Sequence, residues 1–289
     1  MSSHKKKPAP GWHDDPATLL RVGPGFSLAD VDPNSTPGFI GTKADGKVEL
    51  ARAAKSLDAT QEKLYASARG EATDAVLLIL QAMDTAGKGG IVRHVVGAVD
   101  PQGVSMVAFK APTRAELRHD FLWRVQRRLP APGMIGVFDR SHYEDVLIAR
   151  VRGLAEPVEI ERRYPAINGF EQDVASRGIR IVKIMLHISA DEQDARLLER
   201  LERPDKQWKF NPGDIDERQH WGAYQSAYQL ALERTSTDVA PWFVVPANKK
   251  WYARVAVQRL LADCLAAIDP QWPPADFDVK EQMARLAAT

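Results

Sequence analysis

The apolar run Ala75-Val76-Leu77-Leu78-Ile79-Leu80 gives way to Gln81-Ala82-Met83-Asp84-Thr85-Ala86-Gly87-Lys88-Gly89-Gly90, and no other stretch constrains the fold as tightly. Continuous rather than alternating hydrophobicity calls for a strand covered on both faces, the habit of parallel sheets. The glycines then turn the chain, and Ile91-Val92-Arg93-His94-Val95-Val96 can continue as a helix. Strand, glycine turn and helix together aim backbone N–H groups and a helix N-terminus at an anion. Ala86, Gly87, Gly89 and Gly90 would form the cradle, and Lys88 would add a point charge for a phosphate. The bland alternative is a tight corner that binds nothing.

The stretch departs from the P-loop consensus, which places a glycine five residues before Gly87 and Ser or Thr after Lys88. Ala82 and Gly89 occupy those positions. The hydroxyl that ordinarily meets Mg²⁺ is therefore missing, and Asp84, inside the loop, is the obvious replacement oxygen ligand for a hard cation.

At 289 residues the chain has room for one large α/β domain with extensions. The apolar runs are too short to span a bilayer, so no membrane association is expected. The start, Met1-Ser2-Ser3-His4-Lys5-Lys6-Lys7, is basic without an apolar segment behind it, so no secretory leader is expected. Cys264 is alone, which excludes an intrachain disulfide and fits a reducing cytoplasm. A net charge of +1 gives no global pull towards nucleic acid. A polyanion site must come from local clustering of the 39 Lys and Arg residues.

Elsewhere strands and helices alternate. Strands are expected over residues 105–109, 134–139, 180–188 and 242–245, and helices over 48–69, 114–128, 143–151, 157–177, 190–203 and 251–267. Asp214 is a candidate N-cap for a helix reaching residue 231. The pattern predicts a three-layer α/β fold, a central parallel sheet with helices on both faces. Ligands of such sheets sit at the carboxyl ends of the strands.

Asp139 lies at one such end, in Phe138-Asp139-Arg140-Ser141-His142-Tyr143-Glu144-Asp145. Asp84 and Asp139 could share one Mg²⁺, with Arg140 facing the phosphates. Read alone, Asp139 or Ser141 could equally cap the next helix. Residues 203–213 interleave Arg203, Lys206 and Lys209 with Trp208 and Phe210 and hold two prolines. A basic loop of this kind suits a lid that closes over a transferring group and excludes water; the bland reading is a solvated loop. Lys249, Lys250 and Arg254 follow the last strand, and Arg93 and Arg114 are further candidate cations. His119 and His142 read as hydrogen-bonding scaffold rather than phosphohistidines.

Taken together, these stretches resemble the family-2 polyphosphate kinases over roughly residues 50–268. The resemblance rests on Met83-Asp84-Thr85-Ala86-Gly87-Lys88-Gly89-Gly90 as a Walker A variant and on Phe109-Lys110-Ala111-Pro112-Thr113. It rests also on His119-Asp120-Phe121-Leu122-Trp123-Arg124, on Asp139 to Leu147 as Walker B with its sequel, on Lys206-Gln207-Trp208-Lys209-Phe210, and on Pro241 to Trp251. It implies a thymidylate-kinase-like P-loop fold with a lid. It also implies Mg²⁺-dependent phosphoryl transfer between inorganic polyphosphate and adenine nucleotides, with Mn²⁺ as a substitute metal and guanine nucleotides as further substrates.

Carried over residue by residue, Asp84 and Asp139 would hold the metal, and Lys88 and Arg140 would neutralise the transferring phosphate. Arg203, Lys206 and Lys209 would belong to the lid, with Arg93, Lys250 and Arg254 as further phosphate-binding cations. Ser-His-Tyr-Glu-Asp after Arg140 resembles the one-domain branch that accepts AMP and often ADP, a branch that carries Asn at position 139 as readily as Asp. Relatives of this kind form homodimers or homotetramers. The expected division is an N-terminal extension over 1–50, the phosphotransferase domain over 51–270 and a tail over 271–289. Two rival readings stay open: an ATP-dependent nucleotide or small-molecule kinase, and a non-catalytic polyanion-binding protein.

Overall fold

Five strands, β1 (Ala75–Ala82), β2 (Val104–Ala108), β3 (Ile135–Asp139), β4 (Ile179–His187) and β5 (Trp242–Pro246), form one parallel sheet in the order β2-β3-β1-β4-β5. The structure is a computed structural model describing residues 8–289; the basic start, residues 1–7, on which the expectation of no leader rests, lies outside the described residues. The principal helices are α1 (Lys43–Ser67), α2 (Lys88–His94), α3 (Pro157–Ser176), α4 (Ala190–Glu202), α5 (Trp221–Thr235), α6 (Lys250–Ile268) and α7 (Val279–Ala287).

The alternation of side chains along β1 builds the three layers. Val76, Leu78, Leu80 and Ala82 pack with residues of α1, α2 and α6, whereas Ala75, Leu77 and Ile79 pack with α3 and α5. Every residue of β1 is buried. That is why its hydrophobicity is unbroken rather than alternating. Because all five strands run the same way, their carboxyl ends open onto a single edge of the sheet. Residues before α1 pair with the edge strand β5: the Val22 N–H donates to the Trp242 carbonyl and the Val244 N–H to that of Leu20, both at 2.9 Å.

Four expected elements differ; one, the helix expected over 143–151, is broken into a 3-10 turn, His142–Asp145, capped by the Ser141 hydroxyl, and a single helical turn, Ile148–Val151. Helix α1 begins at Lys43 instead of 48, because the Thr42 hydroxyl accepts from the Asp45 N–H while the Asp45 carboxylate accepts from the Thr42 N–H at 2.7 Å. The helix expected over 114–128 is replaced by two short turns, Glu116–Arg118 and Trp123–Gln126. Asp214 caps nothing: it sits inside a short helix, Gly213–Arg218, and α5 starts only at Trp221. Among the described residues no helix is long and apolar enough to cross a membrane.

Behind the end of β3 lies a sealed polar cluster. Lys183, in the middle of apolar β4, donates to the Glu171 carboxylate at 2.5 Å, to the Tyr143 hydroxyl at 2.9 Å and to the Thr235 carbonyl at 2.7 Å. Tyr143 in turn donates to Glu171 at 2.8 Å, and His142 lies 3.3 Å from it. Burial alone would raise the Glu171 pKa, but the Lys183 charge and the hydrogen bonds hold it below the usual carboxylate range. The cluster thus anchors the segment that follows Asp139 and Arg140. Lys183→Met strands a buried carboxylate and is expected to lower stability by about 3–5 kcal/mol, read as a fall in the urea midpoint. The double variant Lys183→Met/Glu171→Leu should recover most of that loss; equal midpoints for single and double variants would refute the pairing.

Candidate active site

The turn after β1 is shaped by two left-handed residues, Gly87 at φ 118° and Thr85 at φ 64°. Glycine adopts such a φ freely, but a β-branched threonine does so only under constraint. Lys88 then opens α2. Its ammonium lies 3.5 Å from the Ala82 carbonyl, so the side chain folds back along the loop. β3 delivers the second group: Asp139 is level with Leu80 of β1, and its carbonyl accepts from the Phe109 N–H at 3.1 Å. Arg140 follows with φ 63°, another left-handed residue, and its N–H donates to the Leu80 carbonyl at 3.0 Å. Strained backbone at the mouth of a sheet marks a functional turn.

These two turns form one wall of a cleft of about 460 Å³. Asp84, Ala86, Gly87, Lys88, Gly89, Gly90, Arg93, Asp139, Arg140, Lys206, Lys209, Lys250 and Arg254, all singled out from the sequence, line it. Arg203 does not. It follows the last turn of α4 and shares its guanidinium between Glu199 and Asp205, each at 2.9 Å. Arg200, one turn earlier, lines the cleft in its place. Sequence reading also passed over Arg196 and His94, which line the cleft too. The available signal was spacing, since Glu192, Arg196 and Arg200 share one face of α4.

Nine Lys and Arg side chains line the cleft against three carboxylates, Asp84, Asp139 and Glu199. A chain of nearly neutral total charge therefore concentrates positive potential where the strands end. Its effect is visible on the neighbours. Burial and the charges of Arg254 and Arg93 hold His94 below the ordinary imidazole value, and burial with the Arg93 charge lowers Arg254. At the inner end of the cleft Arg140 donates to Asp84 at 3.0 Å and reaches Glu144 at 3.7 Å.

Past that pair opens a smaller pocket of about 230 Å³, shared at Asp84 and Arg140 but otherwise different in character. Glu144, Asp214, Glu217, Tyr224 and Tyr228 line it. Burial raises the pKa of both Glu144 and Asp214. Tyr224 donates to Glu217 at 2.6 Å. One pair of residues, Asp84 and Arg140, thus divides a cationic cleft from an aromatic and acidic pocket.

A family model described as polyphosphate kinase 2 matches residues 41–273. The chain belongs to the polyphosphate kinase 2 family. It is 44% identical over 248 residues to the AMP/ADP-polyphosphate phosphotransferase of Meiothermus ruber, covering 86% of this chain and 91% of that protein. With the ADP-polyphosphate phosphotransferase of Rhodopseudomonas palustris it shares 42% over 268 residues, 88% and 91% of the two chains. The crystal structure of polyphosphate kinase 2 from Arthrobacter aurescens TC1 superposes with a TM-score of 0.95 at 58% identity, covering 96% of this chain and 99% of that one.

As a polyphosphate kinase 2, the protein is a phosphotransferase with a P-loop kinase-like fold, and the family's chemistry is of the kind that runs with a divalent metal. Membership favours polyphosphate-dependent transfer over both rival readings. The residues fit such a metal. Among the described residues no group of three or more Asp, Glu, His or Cys is poised around a cation. Of the three cleft carboxylates, Glu199 is paired with Arg203 and Lys250, which leaves Asp84 and Asp139, each at or just past a strand end. One or two carboxylates completed by substrate oxygens and water is the usual donor set for a small hard cation.

Proposed function

We propose that this polyphosphate kinase 2 catalyses Mg²⁺-dependent phosphoryl transfer between inorganic polyphosphate and AMP or ADP. The observation that carries the reading is the junction at Asp84 and Arg140 between two unlike cavities. A chain of phosphates matches the cationic cleft and would be repelled by the carboxylates of the smaller pocket. A nucleoside matches the smaller pocket, where Tyr224 and Tyr228 offer aromatic surface and the carboxylates accept from hydroxyl and amino groups. The reacting phosphates then meet between Lys88 and Arg140. The names of the relatives from M. ruber and R. palustris support AMP and ADP as the acceptors.

Phosphoryl transfer asks for positioning and charge neutralisation more than for covalent chemistry. The acceptor phosphate oxygen is already anionic at neutral pH, so no general base is required. Lys88 and the loop N–H groups bind the transferring phosphate from one side, and Arg140 neutralises it from the other. Arg200, Lys206 and Lys209 approach from α4 and the lid segment, where they would hold the chain and exclude water. Asp84 and Asp139 would hold Mg²⁺, with Mn²⁺ a substitute; when bound, it supplies charge neutralisation and alignment of the phosphate oxygens.

The test is to incubate the protein with Mg²⁺, polyphosphate and either AMP or ADP and to resolve the nucleotides by chromatography. AMP should pass to ADP and then to ATP. ATP formed from ADP alone would remove AMP from the proposal. No conversion with polyphosphate, but phosphorylation with ATP as donor, would overturn it.

A further inference from the structure

Arg196 lines the phosphate cleft, yet the structure assigns it no phosphate to hold. A guanidinium has five N–H donors, and the protein occupies every one of them. Nε donates to Glu192 at 2.6 Å. Nη1 donates to the carbonyls of Thr85 at 3.0 Å and Ala86 at 2.8 Å. Nη2 donates to the carbonyls of Ala247 at 2.6 Å and Asn248 at 3.1 Å. The residue is 4% exposed. Arg200, one turn along the same face, is different: it bonds to the lid segment through Lys209 and Asp214 and keeps an open flank on the cleft.

The carbonyls that Arg196 grips belong to two catalytic segments far apart in sequence. Thr85 and Ala86 are the phosphate loop, and Ala247 and Asn248 lead into Lys250 and Arg254. Gln193, three residues earlier on α4, takes the carbonyl of Asp84 at 3.1 Å. Three consecutive loop carbonyls are therefore pinned to one helix. In a trans peptide the next residue's N–H points away from the carbonyl. The grip on Asp84 and Ala86 thus turns the N–H groups of Thr85 and Gly87 away from α4, while that of Ala86 bonds Met83 at 3.2 Å. It also accounts for the left-handed Thr85, a strained conformation that persists only where its surroundings over-determine it.

We infer that Arg196 is a positioning residue that locks the phosphate loop in its anion-binding form, ties it to the cationic edge after β5, and keeps both in register with the helix that leads into the lid. The inference rests on the phosphotransferase reading for its kinetic consequence only; the grip itself is independent of any substrate.

Arg196→Lys tests it, because lysine keeps the charge but has three donors for five acceptors. The expected result is a fall in kcat of about 10²-fold, the usual consequence of misplacing a reacting group by roughly an ångström. KM for polyphosphate should stay near its unmodified value because the charge of the cleft is unaltered. Hydrogen exchange on the full chain without substrate should accelerate in residues 83–90 and 246–249, while β1 and β4 remain protected. Unchanged loop exchange would overturn the inference, as would a loss carried mainly by KM for polyphosphate, which would make Arg196 a phosphate ligand.

Exchange that accelerates uniformly, or failure of this variant to fold, would mean a role in the core alone unless Gln193→Met shows the same local signature. That variant frees only the Asp84 carbonyl and should cost about tenfold in kcat, the worth of one hydrogen bond. If unmodified protein transferred nothing from polyphosphate, the function would fail while the exchange pattern still decided the grip.

Discussion

Lys88→Met is expected to reduce kcat by about 10³-fold or more, the scale associated with a full positive charge at a transferring phosphoryl group. The melting temperature should hardly move. Methionine reproduces the length and apolar stem of lysine, and among the described residues the only hydrogen-bond contact of the ammonium is the long one to the Ala82 carbonyl. Little native-state energy is invested in the charge, so its removal should alter stability by no more than about 0.5 kcal/mol. The charge is instead available to substrate, at the point where α2 begins and the loop N–H groups converge. The loss should fall on kcat rather than on KM for polyphosphate, because seven other cations along the cleft, Arg196 aside, continue to hold the chain. A variant keeping more than about a tenth of the rate would mean that those cations supply the transition-state charge, and would move the catalytic assignment from Lys88 to Arg140.

The parts of this site that were legible in the sequence are those whose signal is local. The strands β1 and β3 announce themselves by unbroken apolar character, and each ends in a turn whose glycines or acid are contiguous with it. From there the order of alternating elements is enough to place Asp84, Lys88, Asp139 and Arg140 at one edge. Lys206 and Lys209, after α4, and Lys250 and Arg254, after β5, followed because they too come just past element ends, whereas Arg203 does not reach the cleft.

What escaped was decided by partners distant in sequence or by competition within a turn. The stretch 114–128 carries Leu117, Phe121, Leu122 and Val125 at helical spacing, but Asp120 intercepts the backbone. Its carboxylate accepts from the Leu122 N–H at 3.0 Å and its carbonyl from the Trp123 N–H at 2.9 Å. Side chains that offer the backbone such alternatives disfavour helix interiors, and Leu117 is left 67% exposed.

Arg196 was hidden for a different reason. On a helix as charged as α4, nothing local separates an arginine consumed by carbonyls 51 and 111 residues away from one that faces solvent. Lys183 was the fairer clue: a lone charge inside an apolar strand must find a partner, although the sequence does not say that the partner is Glu171.

Asp84→Asn is the second large effect, and it separates charge from shape. Asparagine can still accept the Arg140 hydrogen bond now made at 3.0 Å, and its carbonyl remains available to Gln193, so the loop should keep its form. What disappears is one of the two carboxylates suited to a hard cation. The expected outcome is a fall in kcat on the order of 10³-fold at any accessible Mg²⁺ concentration, together with weaker Mn²⁺ binding measured directly by electron paramagnetic resonance on the unreacted protein. Asp139→Asn should be milder in both readouts. Asp139 sits at the end of a strand held on both sides by ladder bonds and lines the cationic cleft alone. Asp84, by contrast, stands at the junction of the two cavities. If Asp84→Asn bound Mn²⁺ normally and turned over normally while Asp139→Asn lost both, the metal would belong to β3 alone, and Asp84 would be left with orienting Arg140.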